Sequence, residues 1–107
     1  MKNYDRYKLM REILELCQTD KWDQSVNLHH GGKYDFLGFA AKKSNKMSFD
    51  GARQYLDLSL FEASLFWNYF DKLTLRELDG LINLICFGQT FDRDGLKLYQ
   101  ADLIKNR

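Results

Sequence analysis

Apolar positions recur at helical spacing along most of the chain, and two helix starts are written back to back near its middle. Ser59-Leu60-Phe61-Glu62 and Thr74-Leu75-Arg76-Glu77 both fit the capping box, in which a hydroxyl accepts from the third helical N–H and the Glu reaches back. Each opens an amphipathic run: Leu60, Ala63, Trp67 and Phe70 first, then Leu78, Leu81, Ile82 and Ile85. Joined by Asp71-Lys72-Leu73, the two runs predict a helical hairpin at the centre of the core.

The same pattern predicts the flanking elements. A first helix is expected from about Asp5 to Gln18, with Tyr7, Met10, Ile13, Leu14 and Cys17 on one face and Arg6, Lys8, Arg11, Glu12 and Glu15 on the other. Thr19-Asp20 ends it. Residues 21–33 are irregular, holding Trp22, Gln24, the apolar pair Val26 and Leu28, and then His29-His30-Gly31-Gly32. The glycine pair supplies positive φ, so a tight turn or a close chain approach is expected there. Tyr34 to Lys43 returns to helix with Phe36, Leu37, Ala40 and Ala41 inward, and Gly38 permits close packing. Ser48 caps a shorter helix through Tyr55 and Leu56. Phe87-Gly88 reads as a helix exit. Asp92 or Asp94 starts a last helix with Leu96, Tyr99 and Leu103 on one face, a strand being the alternative because Leu96 and Leu98 also alternate. The expected fold is a small, mostly α single domain over residues 1–107, with five or six short helices around the hairpin and a short β element near residues 26–34.

Composition narrows the class without naming an activity. With 107 residues, 45% apolar and 29% charged, the chain can bury a core without metal or disulfide staples. Eight Phe, six Tyr and two Trp make it aromatic-rich, which suits both a small core and a binding surface. Sixteen basic against fifteen acidic side chains leave a formal charge of +1, too little to draw in nucleic acid or an anionic membrane through an overall field. Cys17 and Cys86 each lie in an apolar helical run and read as buried thiols in a reducing compartment rather than a disulfide. No apolar run reaches membrane-spanning length and the first residues carry no signal-peptide core, so a cytoplasmic location is expected.

Each candidate for chemistry has a plainer explanation that outweighs it. His29 and His30 are adjacent and point in different directions, so a loop with polar imidazoles is expected ahead of a metal site or an acid/base role. Asp23 or Asp35 could join a metal set only through folding. Gly31-Gly32-Lys33 at a helix start could cradle an anion, but it lacks the spacing of a P-loop or dinucleotide fingerprint. Asp92-Arg93-Asp94-Gly95 resembles the opening of a calcium loop, yet counting from Asp92 puts Gly95 at position four and Leu103 at twelve, where six and a Glu are required. It reads as a turn and cap. Cys17 with a distant His is the only nucleophilic pair that can be drawn, and its apolar face argues for an inert thiol. No Gly-x-Ser-x-Gly elbow is present. No catalytic group, cofactor or metal is therefore expected. Lys42, Lys43, Lys46 and Arg53, with Tyr34 and Tyr55 nearby, form a basic aromatic candidate patch for nucleic acid, against the plainer reading of a solvated loop.

Trp22-Asp23-Gln24, then Gly32 followed by Leu37-Gly38-Phe39, then Trp67-Asn68-Tyr69 before the capped helix Thr74 to Leu84, stand in a telling order. That order resembles a family of small phage and actinobacterial proteins known only as a domain of unknown function, with Trp-x-Gln, Cys-x-Leu-Gly-Ala and Trp-Asn-Asp motifs. The likeness covers about residues 10 to 86. Asp35 stands where the family has Cys, and Tyr69 where it has Asp, so an activity resting on those two groups would be missing here. The motif residues are expected to be structural, with Trp22 packing on Trp67 and Gln24 and Asn68 bonding backbone. The resemblance implies an accessory protein of a phage or mobile element that inhibits a host enzyme or defence complex. The expected function is thus a non-catalytic protein-binding module, with a small nucleic-acid-binding regulator as the alternative. Phe61, Phe66 and Tyr69 lie off the inward stripe of the hairpin; some are expected to be covered by the first or last helix, and Tyr69, with Phe61 or Phe66, is expected to border a partner-binding or self-association surface.

Overall fold

The computed structural model describes residues 3–66 and 74–88. The order is α1 (Asn3–Leu16), β1 (His29–His30), β2 (Lys33–Tyr34), α2 (Phe36–Ser44), α3 (Phe49–Leu56), α4 (Leu60–Leu65) and α5 (Leu75–Phe87). This is the small, mostly helical domain that the spacing predicts. Trp67, Asn68, Tyr69, Phe70, the Asp71-Lys72-Leu73 turn, Asp92 to Gly95 and the final Leu96-Tyr99-Leu103 helix lie outside the described residues, as does any packing of Trp22 on Trp67.

Local chemistry places the helix ends. Both capping boxes are present, with Ser59 and Thr74 accepting from the N–H of Glu62 and Glu77 and each Glu accepting from its cap residue. α2 starts at Phe36, two residues later than apolar spacing suggests, because Tyr34 belongs to the β ladder and Asp35 is the cap. Its carboxylate accepts from Gly38 N–H at 2.6 Å. At the far end Asn45 is left-handed (φ 62°), donating to Lys42 O while Lys46 N–H reaches Ala41 O. α3 ends the same way, with Asp57 at φ 54° donating to Gln54 O and Leu58 N–H reaching Arg53 O. These are two Schellman ends built on Asn and Asp rather than Gly. α1 closes at Leu16, earlier than expected, since Gln18 and Thr19 donate three residues back and the Thr19 hydroxyl donates to Leu16 O.

Residues 17–34 form a compact loop around a minimal sheet. β1 and β2 pair antiparallel, His29 opposite Tyr34 and His30 opposite Lys33. Gly31 and Gly32 turn between them with φ of 60° and 79°, as a type I′ hairpin turn requires at both positions. On the other side of β2 a parallel bridge pairs Trp22 with Tyr34, whose N–H donates to Lys21 O and whose carbonyl accepts from Asp23 N–H.

The loop is pinned to α2 at one point. Leu28 sits at φ 64° in a three-residue turn closed by His29 N–H on Asn27 O at 2.7 Å. Such a turn is strained for a branched side chain, roughly 1–2 kcal/mol of left-handed backbone. Three contacts hold it. Leu28 N–H donates to the second Asp35 carboxylate oxygen, Asp35 N–H donates to Leu28 O, and the Leu28 carbonyl presses on Gly38. A Cβ on Gly38 would fall 1.7 Å from that oxygen. The close approach that Gly38 permits is therefore to loop backbone, not to another helix.

The core gathers Met10, Ile13, Leu14 and Cys17 from α1 and its exit, Phe36, Leu37, Phe39, Ala40 and Ala41 from α2, and Leu78, Leu81, Ile82, Leu84, Ile85 and Cys86 from α5. Ala52, Leu56, Leu58, Ala63, Leu65 and Phe66 complete it. Among the described residues the most extensive helix pairings join α2 to α3 and α1 to α5, while residues 67–73, which would close the expected hairpin, lie outside them. α4 is only six residues long, and Leu60 at its first position is 64% exposed, outside the core where spacing placed it. Ion pairs tie α1 to α4 and to α5. Arg6 meets the capping-box Glu62 at 2.8 Å, and Arg11 meets Asp79.

An alanine in a helix interior ordinarily gains stability over glycine. Gly38→Ala is expected to reverse that sign and lose about 3 kcal/mol, because backbone must shift to admit the methyl. Urea unfolding of the variant reads this directly, and an unchanged or raised midpoint would contradict the joint.

Candidate functional site

The last turn of α2 faces the exit of α1, and a cleft of about 610 Å³ opens between them. Leu16 and Phe39 give it apolar lining, Lys21, Lys42 and Lys43 surround it, and Thr19, Asp20 and Asn45 add polar groups. That size matches pockets that take a side chain or a small ligand. Lys42 and Lys43 fit the negative end of the α2 dipole. Lys21 is set by the ladder, since its carbonyl accepts from Tyr34 N–H at 2.8 Å. Among the described residues, three ammonium groups against the one carboxylate of Asp20 make the cleft locally cationic on a chain that is nearly neutral.

An aromatic wall adjoins it. The Lys42 ammonium lies 4.9 Å from the centroid of the Tyr34 ring, within cation–π range. Tyr34 packs on Phe39 at 5.1 Å and on His29 at 4.8 Å. Lys42 and Phe39 belong to both the wall and the cleft, so the two form one continuous surface.

The basic candidates from the sequence divide. Lys42, Lys43 and Lys46 are all exposed, but only the first two line the cleft. Lys46 lies in the α2–α3 turn, its N–H bonded to Ser44 Oγ and to Ala41 O. Arg53 is not part of that loop. Its guanidinium donates to Leu58 O at 3.4 Å and lies 3.5 Å from Asp50, so it serves the α3 exit. Tyr55 is half-buried against the core. Lys21 is not legible as a site residue because only the fold brings the exit of α1 to the lysine pair, whereas Phe39 and Asn45, within one turn of that pair on α2 and its cap, carry no sequence mark beyond core spacing and a polar loop.

The aromatic candidates need a correction. Phe66 is 8% exposed and stacks on Phe36, with ring centroids 4.6 Å apart and planes within 8°. It closes the core at the end of α4 instead of bordering a surface. Phe61 is half-buried against the same core, and Tyr69 lies outside the described residues. Among the described residues the exposed large apolar side chains are Tyr4, Met47, Leu60 and Phe87.

The remaining candidates do not line the cleft. His29 and His30 are exposed on a strand, where successive side chains point to opposite faces. Among the described residues no group of three His, Cys, Asp or Glu is placed to hold a metal ion. Gly31-Gly32-Lys33 does not open a helix, as the anion-cradle idea requires. It turns the hairpin, and the α2 N-terminus is already occupied by the Asp35 carboxylate. Cys17 is 1% exposed, and burial followed by the nearby Asp35 charge raises its thiol well above the ordinary value. Cys86 is also buried. No helix among the described residues is long and apolar enough to cross a membrane.

Burial raises the Asp35 carboxyl above its ordinary value, against the lowering effect of the Gly38 and Leu28 N–H donors. A folded state that holds a proton more firmly than the unfolded chain gains stability at low pH. The Asp35 contribution is full below the unfolded value of about 3.9 and declines as pH rises through the folded one. Asp35→Asn keeps one acceptor and costs a roughly constant 1 kcal/mol. The stability advantage of the parent over the variant is therefore expected to shrink as pH rises above about 4. A pH-independent difference in urea midpoints would contradict the desolvation of this carboxyl.

For the thiols, the expectation is that neither Cys17 nor Cys86 reacts with an aromatic disulfide reagent in native buffer and both do so in denaturant. Rapid native labelling of Cys17 would show an accessible thiolate.

No protein-family model, curated protein or solved structure matches the chain.

Proposed function

We propose that this domain is a non-catalytic binding module that holds an acidic protein partner at the α1–α2 cleft. The observation that carries the reading is the convergence of Lys21, Lys42 and Lys43 around a pocket lined by Leu16 and Phe39. A locally cationic, partly apolar cleft suits a carboxylate-rich protein surface, since charge gives orientation and buried carbon gives affinity. The pinned loop supports this, because a pre-ordered site loses little entropy on binding. The motif resemblance suggests a host enzyme or defence complex as that partner and a phage or mobile element as the source.

The second reading is a nucleic-acid-binding regulator, favoured by the lysine pair beside the Tyr34 ring. A net charge of +1 weighs against it, since phosphate binding draws on several basic contacts at once.

Reversing charge at the rim tests the main reading. Lys42→Glu with Lys43→Glu changes two exposed side chains and should leave the fold intact by circular dichroism. The double variant is expected to lose at least about tenfold in affinity for the captured partner, as two charge pairs become repulsive. Unchanged capture would remove the cleft from the interaction, and steep salt-dependent binding to random DNA by the parent would favour the second reading.

A further inference from the structure

We infer that the cleft takes a short extended peptide segment carrying one large apolar side chain between carboxylates. The apolar side chain seats against Leu16 and Phe39, and the flanking carboxylates meet Lys42 and Lys43 on one side and Lys21 on the other. This rests on the reading of the cleft as a protein-docking site and specifies what enters it.

Three observations point to that occupant. The first is that the lining is mixed. Leu16 and Phe39 offer carbon surface that an ion alone would leave wet, while the three lysines call for negative charge. A volume of about 610 Å³ is far larger than one carboxylate needs and accommodates a side chain with its flanking backbone. Second, the charge surplus among the described residues is small, three ammonium groups against Asp20, which matches two or three carboxylates better than a polyphosphate backbone. Third, Asn45 stands at the rim of the cleft, held in a left-handed backbone by the α2 exit. Its side-chain amide carries both donor and acceptor groups, the pair that an extended peptide unit presents in return. Lys42 is already held over the Tyr34 ring, so its ammonium need not be ordered on binding.

The test varies the probe rather than the core. Fluorescence anisotropy at low salt would compare four labelled probes with the full chain: the pentapeptide Glu-Asp-Phe-Asp-Glu, the same peptide with Ala in place of Phe, pentaglutamate, and a ten-nucleotide single-stranded DNA. The Phe peptide is expected to bind at least about tenfold more tightly than the Ala peptide or pentaglutamate, from burial of its ring. Lys42→Gln with Lys43→Gln should weaken the Phe peptide by about tenfold or more, and amide chemical shifts should move at Leu16, Phe39 and Asn45. Equal binding of the Phe and Ala peptides would overturn the apolar anchor while leaving a cationic docking site. Binding that persists in the double glutamine variant would place the peptide elsewhere and overturn the proposal. Tighter binding of the DNA would overturn both this inference and the reading it rests on. No binding of the Phe peptide at millimolar concentration would overturn the inference alone, since capture of a folded partner is measured separately.

Discussion

The Asp35 carboxylate joins two parts of the chain that have different reasons for their shape. One oxygen accepts from Gly38 N–H and starts α2, while the other accepts from Leu28 N–H and fixes the loop before it. The loop has almost no regular structure of its own. Two paired residues on each strand and one parallel bridge would not hold it, since an isolated two-stranded ribbon is marginal in water. Its order comes from being fastened to a helix that is itself packed on α1, α3 and the rest of the core. The left-handed turn at Leu28 is tolerated because its N–H and carbonyl are both engaged at that fastening. A half-buried carboxylate carries a desolvation cost, and here it satisfies two backbone donors that would otherwise be left without partners.

The cleft depends on the same joint. Tyr34 precedes Asp35 directly, and its N–H binds the Lys21 carbonyl. Lys42 lies over the Tyr34 ring, and Phe39 packs against that ring. Moving Asp35 off Gly38 would therefore shift Tyr34, release Lys21 and leave Lys42 without its aromatic support. The remaining ties act at a distance from this site. Glu62 serves at once as capping-box residue and as partner of Arg6, so one side chain sets both the start of α4 and its place against α1.

Signals confined to a few neighbouring residues were legible in the sequence. The boxes at Ser59 and Thr74, the Ser48 cap and the Gly31-Gly32 turn each need only three or four residues, and all stand as expected. The inward faces of α1, α2 and α5 were legible for the same reason. Asp35 as a cap was not, because Phe36 and Leu37 keep helical spacing whether the helix begins at Tyr34 or after Asp35. Asn45 and Asp57 as helix ends carry no glycine to mark them. Leu60 shows the limit of periodicity: it fits the apolar stripe, but the first position of a six-residue helix projects past the core. Spacing alone leaves Phe66 a surface candidate, because its cover is Phe36, far away in sequence. The site suffered most from this blindness to distant contacts, since Lys21 and the Lys42-Lys43 pair meet only when α1 and α2 cross.

Hydrogen exchange at the Leu28 amide tests the central claim most directly. This N–H lies in an irregular loop with a half-buried side chain, so on local grounds it should exchange almost as fast as the turn at Gly31 and Gly32. If the Asp35 joint holds loop and helix as one cooperative unit, Leu28 will exchange only as slowly as amides within α2, such as that of Ala40. Exchange of Leu28 at the rate of the hairpin turn, with Ala40 still protected, would mean that the loop opens independently and that the joint does not position the cleft.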